Sequence, residues 1–139
     1  MQKIFVNEVE YLAFRLAKET MSWNEPIPDF GSRFPNVLES CLAAPFASFG
    51  KRSLYKGLTG KAAILFYLMI KNHPFQNGNK RLAMTTLFLF LHKNKKWLKV
   101  DNQELYNFAR WVASSNPRLN NETVRAVEKF LRMYLVDLR

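Results

Sequence analysis

The chain of 139 residues contains one cysteine, Cys41, and two histidines. A single cysteine excludes an internal disulfide and suits a reducing compartment. Cys41 stands in an apolar stretch of helical spacing and reads as core, not as a reactive thiol. Long apolar runs are also missing. Ala62–Ile70 and Leu82–Leu91 are the most apolar, and both fall short of the roughly 20 residues that span a bilayer. Lys71, Lys80 and Arg81 separate them. The start carries Glu8, Glu10 and Arg15 in a helical pattern and lacks a signal-peptide core. These absences predict a soluble, cytoplasmic protein with no membrane partner. No repeat, linker or low-complexity tract divides residues 1–139, so one domain is expected.

Acidic residues are scarce in a particular place: none occurs between Ser40 and Val100. The formal charge is +10. Residues 1–60 hold seven Lys/Arg and six Asp/Glu, whereas residues 61–139 hold fourteen and five. Such a field favours an anionic ligand. Nucleotide phosphates, nucleic acid and an acidic protein surface all satisfy it at this point.

What remains is apolar, aromatic and helical in pattern. Phe5, Val9, Leu12 and Leu16 recur at helical spacing and predict an amphipathic helix over 3–20. Ser22–Pro35, with three prolines and a glycine, reads as a loop. A short helix is expected from Asn36, capped by Asn36 and Glu39 and ended by Pro45. Phe46–Gly57 is irregular, with a hairpin turn at Gly50, Lys51 and Arg52. Thr59 caps a helix of Lys61–Lys71, apolar almost all round and therefore buried. His73-Pro74 stops it, because a residue before proline is biased away from helical angles. Asn79 or Lys80 opens a second buried helix to about His92, itself read as an ordinary residue near a helix end. After an extended Trp97–Val100, Asp101 and Glu104 cap a helix to about Ser115. A last helix follows Asn120-Asn121, with Val124, Val127, Leu131, Leu135 and Leu138 as its apolar stripe. The fold class is all-α: about six helices with one short hairpin.

The polar loop His73-Pro74-Phe75-Gln76-Asn77-Gly78-Asn79-Lys80-Arg81 between the two buried helices stands out. It ends where a helix begins, at the positive end of the helix dipole. Gly78 allows the backbone to bend closely around an anion. Lys80 and Arg81 offer charge-assisted hydrogen bonds, and Arg81 could grip two phosphate oxygens. His73 is of the residue type that accepts protons near neutrality. Phe75 reads as the apolar anchor of the loop. Spacing alone leaves His73 open between a helix stop and a general base.

This segment resembles the signature of the Fic/Doc (Fido) superfamily, His-x-Phe-x-Asp/Glu-Gly/Ala-Asn-Gly/Lys-Arg. His73, Phe75, Gly78, Asn79, Lys80 and Arg81 match it, in the same helix–loop–helix setting. The resemblance implies a compact helical Fido domain. It implies that His73 deprotonates a hydroxyl of a target protein, and that Gly78, Asn79, Lys80 and Arg81 hold the phosphates of ATP, the co-substrate. The Phe46–Gly57 segment resembles the family's flap, which aligns the target.

Two departures sharpen the expectation. Lys80 stands where AMP-transferring members carry glycine, and Met84 where they often carry a second arginine. That combination resembles the Doc toxins, which phosphorylate elongation factor Tu and are neutralised by an antitoxin partner. The expected activity is phosphate transfer from ATP to a Ser/Thr hydroxyl. The alternatives are AMP transfer and a non-catalytic basic module that binds nucleic acid through Trp97, Trp111 and the cluster Lys93, Lys95, Lys96 and Lys99. The second departure is Asn77, in the position of the carboxylate that holds Mg²⁺; an amide is a weaker ligand for that ion. No self-blocking Ser/Thr-x-x-x-Glu-Gly/Asn helix occurs, so restraint would come from another chain.

Overall fold

Two helices, apolar on nearly every side, make the centre around which the others are arranged. In the computed structural model, residues 1–20 and 26–138 are described. Six helices occur among them. α1 runs as α-helical Val6–Glu8, π-helical Val9–Ala13 and α-helical Phe14–Thr20. α2 is Pro35–Ala43, α3 Gly57–Lys71, α4 Asn79–Lys93, α5 Asn102–Ser114 and α6 Asn120–Tyr134. α3 packs on α4, α6, α5 and α2, and α4 also touches α1 and α5. Ile64, Leu65, Phe66, Met69 and Ile70 of α3 are buried, as are Leu82, Met84, Leu87, Phe90 and Leu91 of α4. Each such side chain stabilises the fold by about 1.5–3 kcal/mol. The expected all-α fold is the observed one. No described helix is long and apolar enough to cross a membrane.

α1 corrects the expected stripe. Phe5 and Leu12 are 57% and 48% exposed, and the buried residues are Val9, Ala13, Phe14 and Ala17. The cause is the π turn, in which Phe14 N–H donates to Val9 O. A five-residue repeat brings Val9 and Phe14 onto one side, and Ala13 and Ala17 let α1 lie close to α4. Phe5 is instead covered in part by Lys93, whose Nζ lies 5.1 Å from its ring and 2.8 Å from Glu8 Oε1. The Ser22–Pro35 loop lies partly outside the described residues; further on, Phe30–Ser32 forms a 3₁₀ turn.

Several helix starts differ from expectation. α2 begins at Pro35, with Phe34 before it and no side-chain cap, so Asn36 and Glu39 form no capping box. Proline supplies the first helical angle without needing its missing N–H. α3 begins four residues before Lys61, at Gly57, and Thr59 instead donates to Glu128 Oε2 on α6. Asp101 precedes α5 with extended angles but makes no side-chain cap.

Two short antiparallel ribbons complete the chain. β1 (Ser48–Phe49) pairs with β2 (Arg52–Ser53) in the register Ser48↔Ser53 and Phe49↔Arg52. Gly50 (φ 64°) turns this hairpin. Its base is held by Lys61, 8% exposed, which donates to Tyr55 O. β3 (Lys96–Leu98) pairs with β4 (Leu135–Asp137), so the last helix ends at Tyr134. Leu135 and Leu138 are therefore not on its stripe. Leu135 lies opposite Leu98 in the ribbon, and Lys99 N–H to Tyr134 O and Leu138 N–H to Lys95 O extend it.

Cys41 is completely buried, and loss of water pushes its thiol up to about 11. The native thiol is accordingly expected to resist alkylation at neutral pH, because the thiolate is the nucleophile. A raised folded-state pKa also means that this contribution to stability is full below the ordinary thiol value. It is lost as pH rises toward 11. Alkylation of native protein as fast as of urea-unfolded protein would contradict both statements.

Candidate active site

The loop joining α3 to α4 is fixed at both ends before its polar residues are placed. Lys71, the last residue of α3, donates from Nζ to Ser115 O (2.7 Å) and Ala113 O (3.2 Å), at the C-terminal end of α5. The last turn of α5 thus gains a cation where the helix dipole favours one. Pro74 O then accepts from Phe34 N–H at 2.9 Å, tying the loop to the start of α2. Phe75 is 1% exposed and meets Phe14 edge-on at 5.1 Å, with Phe30 at 6.3 Å. Each such aromatic pair adds about 0.5–1.5 kcal/mol beyond area burial.

Asn79, the first residue of α4, closes the loop. Its Oδ1 accepts from Phe75 N–H at 3.0 Å and its Nδ2 donates to Phe75 O at 2.9 Å. One amide therefore satisfies both polar groups of a buried residue, which would otherwise lose about 1–3 kcal/mol each. The same Nδ2 lies 3.4 Å from His73 Nδ1. That is long for a hydrogen bond, so it orients the ring only weakly. His73 is exposed and has φ 51°, in the left-handed region. A non-glycine residue there carries roughly 1–2 kcal/mol of strain, a state found most often at functional sites.

Gly78 (φ 72°) precedes α4 directly, and its backbone carries Leu82 N–H on its oxygen. A Cβ there would come within 2.9 Å of Pro26 O and 3.3 Å of Ile27 Cδ1. Glycine is thus required twice, for conformation and for space. Asn77 and Gln76 are exposed at the outer turn.

Of the expected phosphate ligands, Lys80 reaches the surface. It lines an open groove of about 570 Å³ together with Asn107, Arg110, Trp111, Ala113 and Ser114 of α5. Arg81 turns inward: it is 4% exposed and donates from Nη2 to Ala17 O at 2.8 Å, tying α4 to α1. The structure thus brings His73, Phe75, Gly78 and Asn79 together around one turn, sets Lys80 on a neighbouring groove, and places Arg81 beneath. Arg110 and Asn107 line this groove without having been singled out in the sequence, where Trp111 was weighed only for nucleic acid. A signal existed: Asn107, Arg110, Trp111 and Ser114 follow i, i+3, i+4, i+7 spacing, and a tryptophan is unusual on an otherwise polar face.

A resident Mg²⁺ does not fit the loop. Asn77 is an amide, the chain has no carboxylate from 41 to 99, and no group of three His, Cys, Asp or Glu suited to a metal occurs among the described residues. The groove, by contrast, has two cations and an aromatic face, which fit a nucleotide.

The profile of the Fic/DOC family matches residues 7–91, more than half of the chain. The chain belongs to the Fic/Doc family. It is also 35% identical over 65 residues to the toxin Doc of Mycolicibacterium smegmatis (strain ATCC 700084 / mc(2)155), a match covering 47% of this chain and 50% of that protein. The chain thus spans about half the length of that curated relative. No solved structure matches. The matched residues 7–91 include the loop braced by Phe75 and Asn79, and the relative is by its name a Doc toxin.

The brace yields a test. Gly78→Ala is expected to lower stability by about 1–2 kcal/mol from the left-handed φ alone. The contact with Pro26 O adds to that. Gly31→Ala, where no atom lies within 4 Å of an added Cβ, serves as the control. Equal urea midpoints for the two variants would show that the loop does not need its glycine.

Proposed function

We propose that this protein is a Doc-like toxin that transfers phosphate from ATP to a Ser/Thr hydroxyl of a target protein, and that an antitoxin restrains it. The observation that carries the reading is the braced loop: it holds a strained, exposed His73 at the start of α4, whose second residue lines a groove with Arg110 and Trp111. ATP would lie with its base against Trp111 and its phosphates toward Lys80, Arg110 and the positive end of α4. A target hydroxyl oxygen would bond to the γ-phosphorus as the bond from that phosphorus to the β-phosphate oxygen breaks. ADP leaves, and the hydroxyl proton passes to the His73 imidazole. General-base help of this kind supplies about 10²–10⁴ in rate. Positioning and charge stabilisation supply more.

The imidazole needs an acceptor nitrogen. If Asn79 Nδ2 donates to Nδ1, the neutral ring carries its proton on Nε2 and cannot take another there. The reading therefore requires the 3.4 Å contact to break as substrate arrives, which frees Nδ1 as the base or lets the ring take the tautomer with Nε2 as acceptor. Loose alignment without substrate is common at such sites. The exposed hairpin Ser48–Ser53 suits alignment of the target chain by strand-like pairing. Translation factors such as elongation factor Tu are the target class that the Doc resemblance suggests.

Lys80 favours phosphate over AMP transfer. A long cation at the mouth of the groove occupies volume that a glycine would leave for one more phosphate. Of the residues behind the nucleic-acid alternative, Trp97 is stacked on Phe88 at 4.8 Å and Lys93 and Lys96 are paired with Glu8 and Asp137, whereas Trp111 is half exposed.

Purified protein incubated with a bacterial lysate and ATP labelled at either position should move the γ-label and not the α-label. Transfer of the α-label would mark an AMP transferase, and no transfer would oppose an enzyme. His73→Ala should abolish transfer and leave the unfolding midpoint unchanged. Trp111→Ala should weaken ATP binding by about 1–3 kcal/mol, the scale of one stacked base. Calorimetry showing parental affinity would remove the base from this groove.

A further inference from the structure

A second cavity is lined by three parts of the chain: α3, the start of α6 and the residues just after β2. It measures about 380 Å³ and shares no lining residue with the groove of Lys80 and Trp111. Sites for small molecules begin near this size, at about 300 Å³. Leu54, Ile64, Leu68 and Val124 supply its apolar lining. The wall is already held in place. Leu54 N–H donates to Ala47 O at 3.0 Å, and Tyr55 O, on another lining residue, accepts from Lys61. A site formed in advance spends less of its binding energy on ordering.

Two features separate this cavity from a gap in the packing. Tyr67 lines it and is 6% exposed, yet its hydroxyl makes no hydrogen bond among the described residues. A buried hydroxyl without a partner is destabilising, and phenylalanine would fill the same space without that cost. Burial raises the Tyr67 pKa above the ordinary tyrosine value, so the group stays protonated and donates at neutral pH. The second feature is the polar rim. Arg125 is exposed, and among the described residues neither its guanidinium nor the Asn121 side-chain amide has a hydrogen bond or ion pair. Both stand in the first turns of α6, and Leu119 before them offers no side-chain cap. No acidic residue is found among the described residues that line the cavity. A phenol, an amide, a guanidinium and the positive end of a helix together serve an acceptor, and an anionic one best.

We propose that this cavity binds a small apolar carboxylate, its body against Leu54, Ile64, Leu68 and Val124 and its oxygens accepting from Tyr67 and Arg125. An amine would meet no counter-charge. A phosphate ester, with nearly two charges at neutral pH, would need more than one cation. The site does not depend on the nucleotide groove, and it stands whether or not that groove takes ATP.

The probe is phenylbutyrate, titrated into isotope-labelled full-length protein and followed by backbone amide chemical shifts. Phenylbutyramide and phenylbutylamine are titrated beside it. Saturable shifts are expected at Tyr67, Asn121 and Val124, with affinity falling from acid to amide to amine. Tyr67→Phe should weaken the acid about tenfold, the scale of one hydrogen bond to a charged group. The same variant should unfold at a midpoint no lower than the parent's, because the hydroxyl has no partner in the chain to lose. Arg125→Gln should remove the advantage of the acid over the amide. Absence of saturable shifts around the cavity would overturn the proposal, as would equal affinity for all three compounds. Parental affinity in Tyr67→Phe would do the same. Displacement of the probe by ATP would place it in the groove of Trp111 and overturn the separate site.

Discussion

The double hydrogen bond between the Asn79 amide and the backbone of Phe75 is the constraint on which the site depends. It allows a buried aromatic residue to sit inside a turn without leaving its own N–H and C=O unsatisfied. Phe75 then fastens the turn to Phe14 and Phe30, and through them to α1. With the two ends of the loop set by the packed pair α3 and α4, the strain at His73 becomes tolerable. A residue with φ 51° persists only where its neighbours over-determine its position.

This arrangement divides the polar residues of the loop into two kinds of work. Asn79 and Arg81 face inward and hold elements together; Arg81 joins α4 to the carbonyl of Ala17. Lys80, between them in sequence, points to the groove of α5. Helical geometry requires this split, since successive residues differ by about 100° around the axis. The groove is thereby assembled from α4 and α5 together, and the Lys71 contacts with Ala113 and Ser115 tie the end of α5 to the end of α3.

Much of this was legible in the sequence, and for identifiable reasons. The all-round apolar pattern of α3 and α4 gave their burial. Pro74 placed the break between them to within two residues, and the spacing of the loop residues gave the family. The stripe of α1 was misread because a π turn alters the repeat locally, and nothing in the string of residues signals a five-residue hydrogen bond. The β3–β4 ribbon was missed because it joins residues some forty apart, Lys96 with Asp137. The contacts of Asn79 with Phe75 and of Arg81 with Ala17 were equally hidden, because a motif residue reads the same in sequence whether or not it also meets a backbone carbonyl.

In the proposed function, the braced loop and its His73 serve a nucleotide held in the groove that α4 and α5 share. A crystal structure of the protein with a non-hydrolysable ATP analogue tests it most directly. The expected result is the base on Trp111, phosphates on Lys80 and Arg110, and the terminal phosphate on the His73 side of the α4 N-terminus. The Asn79–Phe75 hydrogen bonds should remain intact. An analogue bound away from α4, or one whose terminal phosphate points away from His73, would contradict it.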